Sequence, residues 1–285
     1  MKKTFLFITT IALLVACSNT KPKVIERQNW HKVALSPLYG DVEEVTISEY
    51  KLLEKFGEEV KGDLIEYEIY KFNNLGDVIE DAEYNSDGEL TKKYIYKYDN
   101  NGNKIEDAEY NSDGELTEKY INKYDNNGNK IEDAEYNSDG ELTSKYIYKY
   151  DSNGNKIEEG LYFPNGKLAK KYIYKYDNNG NEIEWELYFL DDIFAEKYIN
   201  KYDNNGNKIE EAKYNSDGEL AKKYIYKYDS NGNEIEWAEY NSDGELTSKY
   251  IYKYDRDGNR IERRKYNSVI MIPEKLIEYK IIYRK

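Results

Sequence analysis

The sequence predicts an all-β chain: an elongated antiparallel β-meander of tandem hairpins, with two strands in each 26-residue repeat. The expected product is a single-layer twisted or coiled sheet. Three observations predict it. KYIYKYDNNGNKIEDAEYNSDGELT starts at Lys93 and returns in nearly the same letters at Lys119, Lys145, Lys171, Lys197, Lys223 and Lys249, without insertion. Each repeat carries two turn signals, Asp-Asn-Asn-Gly-Asn as at 99–103 and Asn-Ser-Asp-Gly-Glu as at 111–115. Between turns lie runs of about eight to ten residues that alternate with period two and are rich in Tyr and Ile. A turn every 12 to 14 residues leaves no room for helices.

The elements follow in chain order. MKKTFLFITTIALLVACSN opens with Lys2 and Lys3 and an apolar run Phe5–Val15. That run is too short to span a bilayer but suits a secretory signal. It ends Leu14-Val15-Ala16-Cys17, which resembles a bacterial lipobox, and Cys17 is the only cysteine in the chain. The resemblance implies cleavage before Cys17 and lipid on that residue, hence a membrane partner through the lipid and an address in the cell envelope, at the outer membrane. Two or more acyl chains anchor stably where one is marginal. Residues 1–16 are thus a lipoprotein signal peptide, 17–38 the lipidated cysteine and a polar tether, and 39–285 the hairpin domain, with regular repeats at about 64–267.

The tether carries Pro22, Pro37 and the only histidine, His31 beside Trp30. Asp41–Lys51 alternates and reads as a strand. Leu52–Asp63 is irregular, and Glu66–Leu75 is a worn first copy. After Asn267 the period fails, and Leu276–Tyr283 reads as a closing strand. Worn ends around uniform middles are what stacked repeats require of their caps. Counting from Asp41, about 18 strands at roughly 4.8 Å each make a sheet of about 85 Å.

Turn chemistry fixes an expected register. Both signals fit a type I turn closed by a left-handed glycine, Gly102 or Gly114 in the first full repeat. Pairing Asp99 with Asn103 sets Tyr96 opposite Glu106 and Tyr94 opposite Ala108. Pairing Asn111 with Glu115 sets Glu106 opposite Tyr120 and Tyr110 opposite Leu116. One face is then a field of tyrosines with Ala and Leu, expected inward. The other is a ladder of Ile95, Ile105, Ile121 and the charges Lys97, Asp107, Glu109 and Lys119. Charges on both faces argue against a transmembrane barrel, which needs an apolar lipid band.

The stretch Tyr96–Ile105 (YKYDNNGNKI) resembles the YD repeats of Rhs-type proteins. Tyr110–Leu116 (YNSDGEL) is similar to the MORN-like repeat variant. The YD resemblance implies carbohydrate binding or the enclosure of a toxin, and the MORN-like one an antitoxin role. Such Gly-Tyr motifs specify architecture more than function.

The composition limits the chemistry. There are 33 Tyr but 7 Phe and 2 Met, and the net charge is −14. That charge opposes nucleic acid, which selects basic faces. A lone His in the tether leaves no nucleophile–His pair. Lack of Cys and His removes zinc sites, and the position of Gly in the aspartate turn does not fit an EF-hand loop. No cofactor, no metal and no enzyme are expected. Departures from the repeat mark a candidate binding patch: Trp185 and Trp237 in place of the aspartate at 107 and 133, with Tyr188, Phe189 and Phe194 in WELYFLDDIF. By the pairing rule Trp185 lies between Ile173 and Lys197, and Trp237 between Ile225 and Lys249, on the isoleucine face. The function expected is a non-enzymatic binding or scaffold module for polysaccharide or for an envelope or extracellular protein. An immunity- or antitoxin-like protein and a structural spacer are the alternatives.

Overall fold

The computed structural model describes residues 38–267 and 272–284. The expectations for the signal peptide, Cys17 and nearly all of the tether fall outside the described residues. Eighteen strands succeed one another: β1 (Val42–Lys55), β2 (Glu58–Phe72), β3 (Val78–Asn85), β4 (Leu90–Tyr98), β5 (Lys104–Asn111), β6 (Leu116–Tyr124), β7 (Lys130–Asn137), β8 (Leu142–Tyr150) and β9 (Lys156–Tyr162) form the first half. The second half is β10 (Leu168–Tyr176), β11 (Glu182–Phe189), β12 (Ile193–Tyr202), β13 (Lys208–Tyr214), β14 (Leu220–Tyr228), β15 (Glu234–Asn241), β16 (Leu246–Tyr254), β17 (Arg260–Asn267) and β18 (Ile272–Tyr283). Each pairs antiparallel with the next, as the repeat predicts.

The open sheet does not hold. β18 also pairs with β1, from Glu44 opposite Ile282 to Lys51 opposite Lys275, and the sheet closes into an 18-stranded barrel. The physical reason lies in the two cap strands. An open meander would leave both with an unpaired row of N–H and C=O groups. Both also carry aliphatics, and in the closed barrel Val42, Val45, Leu276 and Ile277 are buried.

The register differs from the expected one by a single residue. Tyr98 pairs with Lys104 as turn chemistry dictates, but Ile105 is a bulge, and Lys97 then pairs with Glu106. Across the other turn Tyr110 pairs with Leu116, and Thr117 bulges so that Glu109 meets Glu118. A one-residue slip exchanges faces. Tyr94, Tyr96 and Tyr120 therefore share a face with Asp107 and Glu109, while Ile95 and Ile121 share theirs with Ala108, Tyr110 and Glu106.

The tyrosine face is the lumen. Its row Ile281–Val45–Tyr70–Asp81–Tyr94 runs through the buried cluster of Leu38, Val42, Val45, Tyr70, Phe72 and Val78. The outer face carries ion pairs at each repeat, such as Lys97–Glu106 at 2.7 Å and Lys123–Glu132 at 2.7 Å. The outer row Lys97–Glu106–Ile121–Ala134–Lys145–Tyr162–Leu168 climbs from one rim to the other. That slope is one residue per strand, a tilt of about 35° from strand rise and spacing, as barrels require. At this strand number a barrel has a lumen wider than one layer of side chains fills.

The two rims differ. On the aspartate rim, Asp99 Oδ1 accepts from the backbone N–H of Asn101 and Asn103 at 2.8 and 2.9 Å, and Gly102 takes φ +81°. Successive turns touch: a Cβ on Gly128 would lie 3.8 Å from Asn103 Oδ1. On the asparagine rim, Gly114 and Gly140 have no such neighbour. The aspartate rim is further tied by tyrosine. The bulge after Lys104 leaves that carbonyl to side chains, and Tyr124 Oη donates to it at 2.8 Å. The same bond recurs from Tyr98 to Val78, Tyr150 to Lys130, Tyr176 to Lys156, Tyr202 to Glu182, Tyr228 to Lys208 and Tyr254 to Glu234. The tyrosine before each turn thus joins one hairpin to the previous one. Tyr150→Phe is expected to lower stability by about 1 kcal/mol, the net worth of one hydrogen bond. Urea unfolding of the variant measures it.

Candidate functional site in the lumen

The common repeat sends three tyrosines inward from its first strand and a lysine–acid pair from its second. Lys104 Nζ lies 2.8 Å from Asp107 and 4.8 Å from the centre of the Tyr96 ring. Lys130–Asp133, Lys156–Glu159 and Lys208–Glu211 repeat the pair at 2.7, 2.5 and 2.6 Å. Three repeats change both members together: β17 has Arg260 and Arg263, and two others carry glutamate and tryptophan. Where lysine becomes Glu182 or Glu234, the acid three residues on becomes Trp185 or Trp237. An unpaired carboxylate there would face a second one, so an uncharged aromatic partner removes the repulsion. Burial holds Glu182 above the usual carboxylate range, countered by Lys208 and Lys156. Burial likewise raises Glu234, against the charge of Arg260. The lumen is therefore a wall of aromatic bodies with hydroxyl, carboxylate and ammonium groups between them.

The tryptophans stand on this wall and not on the isoleucine face. Because of the bulges, Trp185 pairs with Tyr174 and Tyr198, and Trp237 with Tyr226 and Tyr250. The expected neighbours Ile173, Lys197, Ile225 and Lys249 point outward. Trp185 stacks on Tyr198 at 3.9 Å between ring centres and tilts against Tyr172 at 5.8 Å. Trp237 contacts Tyr224 at 5.5 Å and Tyr250 at 5.3 Å.

The candidate patch is divided. Trp185 and Phe189 share one inner column with Leu187, while Trp237 is four strands away on β15. Tyr188 and Phe194 face outward as an edge-on pair at 5.8 Å. Phe189 is half exposed at the asparagine rim, as is Phe163 of the preceding hairpin. The turn between them and β12 has lost its glycine, and Asp191 and Asp192 both take left-handed φ, 61° and 58°. Lys171 holds Asp192 at 2.6 Å.

Sequence reasoning passed over two residues. At the place of Tyr96, β6 has Asn122 and β12 has Asn200. Both are buried. Asn122 Nδ2 donates to Lys104 O at 2.9 Å, and Asn200 Nδ2 to Glu182 O at 2.8 Å. The side-chain oxygen of each has no partner. The signal was present, since KYINKY replaces KYIYKY twice, but its meaning depends on which face the residue takes. Among the described residues there is no histidine or cysteine, and no cluster of acidic side chains is placed to hold a metal ion.

A family of proteins of unknown function, DUF2963, matches residues 110–159 and 195–237, less than half of the chain. No curated protein matches the sequence. Among solved structures, a porin-like protein from Bacteroides uniformis is similar at 10% identity and TM-score 0.45, over 85% of this chain and 96% of that one. The TcdB2-TccC3-Cdc42 structure is similar at 15% identity and TM-score 0.32, over 81% of this chain but 15% of that one. A LolA superfamily protein from Nitrosomonas europaea is similar at 11% identity and TM-score 0.26, over 86% and 87% of the two chains.

Proposed function

We propose that this chain is a non-enzymatic binding barrel of the bacterial cell envelope, held by lipid on Cys17, that takes a glycan against its lumenal wall. The observation that carries the reading is the composition of that wall. Tyrosine hydroxyls, carboxylates, lysines and buried amides alternate with aromatic bodies over many strands, and the lumen of an 18-stranded barrel leaves room above them. A polyhydroxylated chain matches such a surface: many donors and acceptors, and little apolar area to cover. Catalysis is not favoured, because the carboxylates recur as repeat pairs neutralised by lysine rather than as one differently tuned couple in a cleft. The lipobox resemblance supports the anchor.

The test is calorimetric titration of residues 18–285 with maltohexaose, cellohexaose and chitohexaose, alongside tryptophan fluorescence. Saturable binding to one of them is expected, with a fluorescence change from Trp185 and Trp237. Trp185→Ala with Trp237→Ala is expected to weaken that binding at least tenfold while the chain stays folded. Absence of binding to all three would sink the reading and turn attention to a protein partner, including a toxin.

A further inference from the structure

On the aspartate rim, grooves lie between one turn and the next at two places. Between turns 229–233 and 255–259, Tyr39 leans on Gly258 and the cavity is about 270 Å³. Between turns 99–103 and 125–129 the cavity is about 740 Å³. Asn122 lines it, together with Asp99, Asn101, Asn103, Tyr124 and Asp125.

We propose that the groove lined by Asn122 is a saccharide subsite, and that Asn200, three repeats further on, marks a second. This rests on the glycan reading above and gives it a location. Asn122 is 6% exposed, its amide nitrogen is fixed on Lys104 O, and its oxygen is left without a donor. Tyr124 lines the cavity with its proton already given to Lys104 O. Asp99 and Asp125 are ionised at neutral pH, because Asn103 and Asn129 and their backbone N–H groups hold each below the usual carboxylate range. The groove thus sets acceptors beside the side-chain amides of Asn101, Asn126 and Asn127, a mixture that hydroxyl groups, which both donate and accept, can meet. Burying an acceptor without a partner is unfavourable by roughly 1–3 kcal/mol, so a donor at Asn122 Oδ1 is the contact with most to gain. Sugar hydroxyls deliver several donors from one ring at the spacing of neighbouring carbons. Asn200 repeats the arrangement on Glu182, with Oδ1 again unpartnered and the residue 5% exposed.

The repeat itself supplies the variant that tests this. Tyrosine already occupies the position at 96, 148, 174, 226 and 252, so Asn122→Tyr with Asn200→Tyr restores the common letter and removes both amides. The double variant is expected to bind the hexasaccharide taken by the parent chain at least tenfold more weakly, with an equal or higher Tm. Unchanged affinity in the double variant, with binding lost in the double tryptophan variant, overturns the subsites and leaves the lumenal reading standing. Absence of saccharide binding by the parent chain overturns both. Should the tyrosine variant not fold, Asn122→Leu with Asn200→Leu removes the amides at similar volume and is read in the same way.

Discussion

Excision of residues 119–144 is expected to leave a folded, closed barrel of 16 strands. The cut removes one whole period, and Glu118 then precedes Lys145 as it preceded Lys119. Two strands and two turns go together, so β18 still arrives antiparallel to β1 and every contact of that seam survives. At one residue per strand the total stagger falls in step with the strand number, and the tilt is kept. Excision of residues 125–137 removes one strand and one turn instead. An odd number of strands brings β18 to β1 in parallel, against the pairing of Glu44 with Ile282 and Lys51 with Lys275. Two edges then stay open, and such edges aggregate. Size-exclusion chromatography and thermal unfolding followed by circular dichroism distinguish the outcomes. The first variant is expected to elute as a compact monomer with a Tm within a few degrees of the parent. The second is expected in aggregates. A soluble, cooperative 17-stranded product would show that closure does not govern stability.

Asp81→Asn is expected to stabilise the barrel above pH 8 and to do nothing at pH 4. Asp81 is 5% exposed on the inner face, with Oδ1 unpartnered. Burial, with the charges of Glu68 and Glu83 nearby, pushes its carboxyl up to about 8. The unfolded value is close to 3.9. The folded state therefore holds this proton more tightly than the unfolded state. Stability falls as pH rises from about 4 to 8 and is flat beyond, because the folded chain must carry an unfavourable buried charge. Asparagine has no proton to lose. Its advantage grows over the same window to on the order of 2–5 kcal/mol. Urea unfolding of both chains at pH 4, 6 and 8.5 measures the difference, and an equal gap at all three values would mean that the carboxyl is not the cause.

Much of this fold was legible in the letters. Asp99–Asn103 and Asn111–Glu115 close the turns that their side chains predict, and Gly102 and Gly114 take the left-handed φ. These are local events, decided within five residues. The strand number, the antiparallel order and the inward tyrosines followed from the same period. The register did not. Ile105 and Thr117 bulge because each strand has to twist and slope to close, and nothing in their own letters states it. That slip moved Trp185 and Trp237 from the isoleucine face to the lumen and parted Phe189 from Tyr188 and Phe194.

The sequence by itself determined the unit: a 26-residue hairpin pair whose turns, alternation and tyrosines require neighbours to cover them. Only the tertiary structure decided that the row of units bends until its ends meet. Closure depends on two cap strands separated by more than 200 residues, which pair with each other across the seam and have their aliphatics buried there. The same closure gives the faces their meaning. It makes one side a lumen, turns the asparagines at 122 and 200 from variations in a repeat into buried amides with one oxygen unmet, and leaves the charged isoleucine ladder outside.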